Sequence, residues 1–293
     1  MQRAAHSLKL FSRVTTTSAR QLRCQLHTVA ASQRATTTTT TTSPSMAVWA
    51  VAAGFVATTG GYLTWKNTMH NPVLAEAKYA GTVEEPSTKL SFPINLQTDS
   101  DWKRLVGLGP RTVSFLGINV YVLGLYMRSQ DIGMLKTLKG WEQFDKEEFL
   151  SKETMAMTLL EQPMDVTIRI VPARGTNMQH LRDGFTRSLL QRMRDQSHDM
   201  SEEKEREVMK AIQEFKSQFP LSNVKKGTEF VFTKTRDGGL KMEYEGKDLG
   251  TVNNAWLAKN FVMGYLNPTT PASEVARQDI AKGFDTLLNN KDQ

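Results

Sequence analysis

The 293-residue chain predicts an α+β domain over residues 86–290, an antiparallel sheet layered with helices on one of its faces. Three observations carry that expectation. Strand-forming runs come first, at 112–127 (TVSFLGINVYVLGLYM) and 165–171 (DVTIRIV). Two helical stripes follow, at 178–193 and 201–219. The hydrophobic period then returns to two across 229–252 before two more helical segments close the chain. Strands grouped with strands, and helices with helices, are not the regular alternation that builds a parallel sheet.

The segment ahead of this domain is of another kind. No Asp or Glu precedes Glu76, while Arg3, Lys9, Arg13, Arg20, Arg23, Arg34 and Lys66 all fall before it. The whole chain holds 37 basic and 30 acidic side chains, so removing these seven leaves a balanced body. A basic, Ser/Thr-rich, acid-free start with scattered apolar residues has the composition of a mitochondrial presequence, expected over 1–35. A balanced body offers no clustered cations for phosphodiester backbones, which excludes nucleic acid as an expected partner. The polar tract 36–45, with threonine throughout 36–42, reads as a linker.

Residues 46–65 are uncharged, and as a helix they would be about 30 Å long, the thickness of a bilayer's hydrocarbon core. Trp49 lies near one end, Tyr62 and Trp65 near the other, where interfacial aromatics belong. A single membrane-spanning helix is therefore expected, followed by a linker over 66–85. With Arg34 and no acid on its N-terminal side, that orientation keeps the N-terminus in the matrix and tethers residues 76–293 to the inner membrane from the intermembrane space.

Within the domain, 90–96 and 102–106 read as short strands, the first at an edge because Pro93 has no N–H to donate. The uncharged run 112–127 reads as one long strand with Gly117 and Gly124 as bends or bulges. Met178, Leu181, Phe185, Leu189 and Met193 recur at helical steps. Ser201 is an N-cap followed by Glu202 and Glu203, where the helix dipole favours carboxylates. Asp237-Gly238-Gly239 and Gly246 mark the turns of the meander, and helices are expected over 255–265 and 273–288.

The chemistry the chain can carry is narrow. The lone cysteine, Cys24, lies in the leader, so the body has no disulfide, thiolate metal site or cysteine nucleophile. His6, His27, His70, His180 and His198 include no pair at helical metal-ligand spacing. Gly107-Leu-Gly109-Pro-Arg111 precedes a strand rather than a helix and is too short for a phosphate loop. What stands out is Arg111 with Asn119 and Tyr121. By strand parity the three share a face, where a guanidinium and a phenol could hold a carboxylate or steady an oxyanion. An arginine paired at a sheet edge over a core tyrosine is the alternative reading of the same residues.

The stretch GLGPRTVSFLGINVYVLGLYM, the block DVTIRIVPARGTNMQHLRDGFTRSLL and the ending EGKDLGTVNNAWLAKNFVMGYLNPTTPASEVARQDI together resemble the chalcone isomerase fold, in the right order across nearly the whole body. With the leader and span, the chain is similar to the fungal mitochondrial branch of that family, the proteins named for altered inheritance of mitochondria. The resemblance implies an apolar cleft between the long strand and the helices. It makes Arg111 the residue that holds the reacting oxygen in plant enzymes, or a carboxylate in fatty-acid-binding members with Tyr121. It also places Met178, Leu181 and Phe185 where plant enzymes use Tyr, Lys and Asn, and Leu116 where they use Thr. Loss of those donors implies a binding protein for an apolar ligand with one acidic end, a fatty acid or haem. Arg111, Asn119, Tyr121, Met178, Leu181 and Phe185 would line its site, and His180 or His70 would be the axial ligand if the cofactor is haem. Two rivals stand beside it: an intramolecular lyase of chalcone isomerase type with Arg111 and Tyr121 as its catalytic pair, and a structural membrane partner working through the span.

Overall fold

The computed structural model describes residues 81–98, 101–113 and 117–289. The expected presequence, polar tract and span, with Cys24, His70 and Leu116, lie outside the described residues. Among the described residues no helix is long and apolar enough to cross a membrane.

Seven antiparallel strands form the central sheet. In chain order they are β3 (Asn95–Thr98), β4 (Asp101–Val113), β5 (Ile118–Met127), β6 (Val166–Pro172), β9 (Phe230–Lys234), β10 (Leu240–Tyr244) and β11 (Lys247–Val252). In space they run β11-β10-β9-β6-β5-β4-β3. Two small ribbons flank the sheet: β1 (Thr82–Glu84) with β2 (Ser91–Pro93), and β7 (Thr176–Asn177) with β8 (Asn223–Val224). Helices α1 (Ser129–Met134), α2 (Lys146–Ser151) and α3 (Glu153–Glu161) follow β5. Helices α4 (Met178–Asp195) and α5 (Glu202–Ser217) precede the meander, and α6 (Ala255–Leu266) and α7 (Glu274–Asn289) end the chain.

All the helices bury against one face of the sheet. That face contributes Leu123, Leu125, Ile168, Ile170, Phe230 and Phe232 to the main core. The opposite face carries a thinner layer, in which Phe92 of β2 sits on Leu108, Val122, Tyr126 and Val171. The α+β layering read from the order of periods is the observed one.

The expected long strand is two strands. The chain turns back between Val113 and Ile118, with Gly117 at φ +63°, and β5 pairs antiparallel with β4. A continuous uncharged composition hid the turn. Arg111 therefore stands on a strand, near the end of β4, and not in a loop ahead of one. Gly124 is neither a bend nor a bulge: an added Cβ would come within 3.0 Å of the Phe92 ring. The bulges fall at Val106 and Val120, each skipped by the β4–β5 register.

Gly107 and Gly109 serve packing. A Cβ on them would lie 2.5 Å from the Ile280 nitrogen and 2.6 Å from the Ala276 nitrogen, and one on Gly283 would lie 1.6 Å from the Val106 oxygen. Three glycines thus let α7 lie directly on β4. The contact is fixed by Leu108 N–H donating to Asp279 at 2.8 Å and by the Ser273 hydroxyl donating to the Pro110 carbonyl at 2.6 Å.

Candidate functional site

Register places Arg111 directly opposite Tyr121 on the neighbouring strand. Its Nη1 donates to the Tyr121 hydroxyl at 3.0 Å, and the guanidinium carbon lies 5.6 Å from the ring centroid. The Tyr121 oxygen is in turn 3.3 Å from the hydroxyl of Tyr265, on α6. Both phenols are buried, Arg111 half so. Among the described residues no carboxylate pairs with this guanidinium.

The Tyr121 oxygen holds Arg111 above the ordinary arginine range, against a burial effect that pulls the other way. Burial first, and then the nearby Tyr121, pushes the Tyr265 hydroxyl well above the usual phenol range. Arg111 is therefore a fixed cation, and Tyr265 a neutral phenol, throughout the physiological range.

Two spaces meet at Arg111. Inward, between α4 and α6, is a small recess of about 20 Å³ walled by Phe185, Leu189 and Phe261. Outward is an open vestibule of about 490 Å³ lined by Arg187, Gln191, Arg192, Asp195, Asn267 and Thr270. Ser188 and Gly264 border both. Asn260 closes one end: its Oδ1 accepts from Arg192 at 2.8 Å and from Gln196 at 3.2 Å, while Arg192 is held by Glu153 at 2.7 Å.

Of the residues read from sequence, Arg111, Tyr121 and Phe185 converge here. The first two meet across a hairpin rather than along one strand. Asn119 does not join them: the bulge at Val120 reverses the parity, and its side chain donates to Ser87 at 3.2 Å. Met178 and Leu181 are packed in the core and border neither space. His180 is exposed, as is His198. Tyr265, Asn260, Arg187 and Arg192 were missed. A polar Asn260 inside the apolar run AWLAKNFVMGYL was the available signal.

Of the histidines read as axial-ligand candidates, His180 borders neither space and His70 lies outside the described residues.

Residues 102–281 match the family model described as "Chalcone isomerase like". An uncharacterised protein of Schizosaccharomyces pombe is 32% identical over 195 residues, covering 63% of this chain and 72% of its own. A Debaryomyces hansenii protein named altered inheritance of mitochondria protein 18, mitochondrial, is 28% identical over 210 residues, covering 65% and 68%. Among solved structures, an Arabidopsis thaliana fatty-acid binding protein superposes with a TM-score of 0.59 at 24% identity, covering 72% of this chain and all of the other. That last likeness is one of fold.

Proposed function

The chain belongs to the chalcone isomerase-like family, and from that premise we propose that it binds, without transforming, an amphiphile whose acidic head is gripped by Arg111 and Tyr121. One observation carries this reading: a guanidinium that no carboxylate among the described residues offsets stands where a polar vestibule meets an apolar wall. A charge-assisted hydrogen bond to an acid is the interaction such a group lacks. A fatty acid is the simplest ligand of this description, and the fatty-acid binding protein of the same fold supports it. An acyl tail enters by parting Phe185 from Phe261, whose rings now lie 5.8 Å apart.

Titrating the full-length protein with dodecanoate tests the proposal. Binding that weakens about tenfold or more in Arg111→Gln is expected from the loss of one charged hydrogen bond. Equal binding by both proteins would overturn the anchor.

We also place the protein in mitochondria, tethered to the inner membrane by residues 46–65. The acid-free leader and the relatives' mitochondrial names support the compartment, and the uncharged run supports the tether.

A further inference from the structure

We infer that the acidic head received at this site is a phosphomonoester on a single-chain lipid, with Arg187 as its second cation. The inference rests on the anchoring role proposed for Arg111 and extends it to a ligand class.

Space comes first. The vestibule, at about 490 Å³, is the size of a small-molecule site in its own right, whereas a fatty-acid head is a single carboxylate. Most of the room beside Arg111 is therefore on the polar side, and it suits a head with several heavy atoms.

Charge points the same way. Arg187 lines the vestibule, is exposed, and stands next to Ser188, which borders both spaces. The carboxylate one helical turn before it, Asp183, is engaged chiefly by Arg182 at 2.9 Å and Lys216 at 3.8 Å, and feels Arg187 less than either. Asp195 also lines the vestibule, but it sits eight residues along α4, about 12 Å from Arg187 along the axis, and accepts from Gln191 at 2.8 Å. Arg192 is neutralised by Glu153. The vestibule lining thus includes two cations, Arg111 and Arg187, and the Ser188 hydroxyl. A carboxylate would balance one of these charges. A phosphomonoester, at about −1.5 to −2 near neutral pH, balances both and offers three acceptor oxygens to guanidinium donors.

The backbone keeps this room open. Gly184 lies inside α4 and Gly264 inside α6, and both border the vestibule. An added Cβ would meet nothing within 4 Å at Gly184, and only the Ser188 hydroxyl, at 3.5 Å, at Gly264. Neither glycine is required by packing, unlike the three under α7. Each keeps volume free at the mouth of the site.

The test compares dodecanoate, monododecanoyl glycerol phosphate and inorganic phosphate, each titrated into the full-length protein below its critical micelle concentration. The phospholipid is expected to bind about tenfold or more tightly than dodecanoate, and Arg187→Gln to cut that ratio about tenfold. Equal affinities for the two lipids, or a ratio untouched by Arg187→Gln, would overturn the inference. So would inorganic phosphate binding as tightly as the lipid, since the head alone would then be the ligand. If instead Arg111→Gln leaves dodecanoate binding intact, the anchor itself fails, whatever Arg187 does.

Discussion

A glycine inside a helix costs about 0.5–1 kcal/mol relative to alanine, through backbone entropy. Gly264 carries that cost at the neck between recess and vestibule, where a methyl group would find ordinary contact distance to Ser188. Gly264→Ala is therefore expected to raise stability by about 0.5–1 kcal/mol in urea unfolding while weakening amphiphile binding. Improved stability with undiminished affinity would show that the neck is not the route. At this scale the sequence disclosed residue types better than positions. Arg111 and Tyr121 were legible because a guanidinium and a phenol amid apolar residues are conspicuous. Asn119 was misplaced because one unpaired residue, Val120, turns the strand over, and a bulge is a property of cross-strand register that no single strand displays. His180 was drawn in by its nearness to an apolar stripe, and it is exposed.

The hairpin over the thin side of the sheet depends on a carboxylate. Glu85 is buried at the turn between β1 and β2, accepting from the Thr88 N–H at 2.7 Å and hydroxyl at 2.5 Å, and from the Ser87 N–H at 3.1 Å. Burial alone would raise its pKa, but hydrogen bonds from Thr88 and Ser87 outweigh it and leave the group below the ordinary carboxylate range. A depressed folded pKa means that this contribution is complete above the unfolded value and is lost as pH falls through the folded one. Glu85→Gln is expected to destabilise by about 1–2 kcal/mol at pH 7 and to flatten the loss of stability below pH ~4.5. Urea midpoints at pH 7 and in acid check this, and identical acid losses in both proteins would refute it. Element legibility followed length and turn chemistry. Helices α4 and α5 each show several turns of apolar stripe, and the meander announces itself by Gly238 at φ +84° and Gly246 at φ +72°. Helices α1 to α3, of six to nine residues, are too short to display a period, and the β4–β5 turn offered one glycine as its only signal.

For the whole molecule, the layering was legible because element order alone separates an antiparallel sheet with one helical face from an alternating fold. The tether makes a topological prediction. In isolated mitochondria the protein is expected to resist alkaline carbonate extraction and to become protease-sensitive only when the outer membrane is opened. Extraction into the soluble fraction would reject the span, and protection in mitoplasts would reject the intermembrane-space orientation. The seating of α7 on β4 bears on time as well as shape. Leu108 and Asp279 are 171 residues apart in sequence, yet their hydrogen bond belongs to the same close contact as the three glycines. Contacts of such separation form late, after loop closure has been achieved at large entropic cost. A chain emerging from a ribosome, or threading through a pore, cannot complete its core until its last helix is delivered.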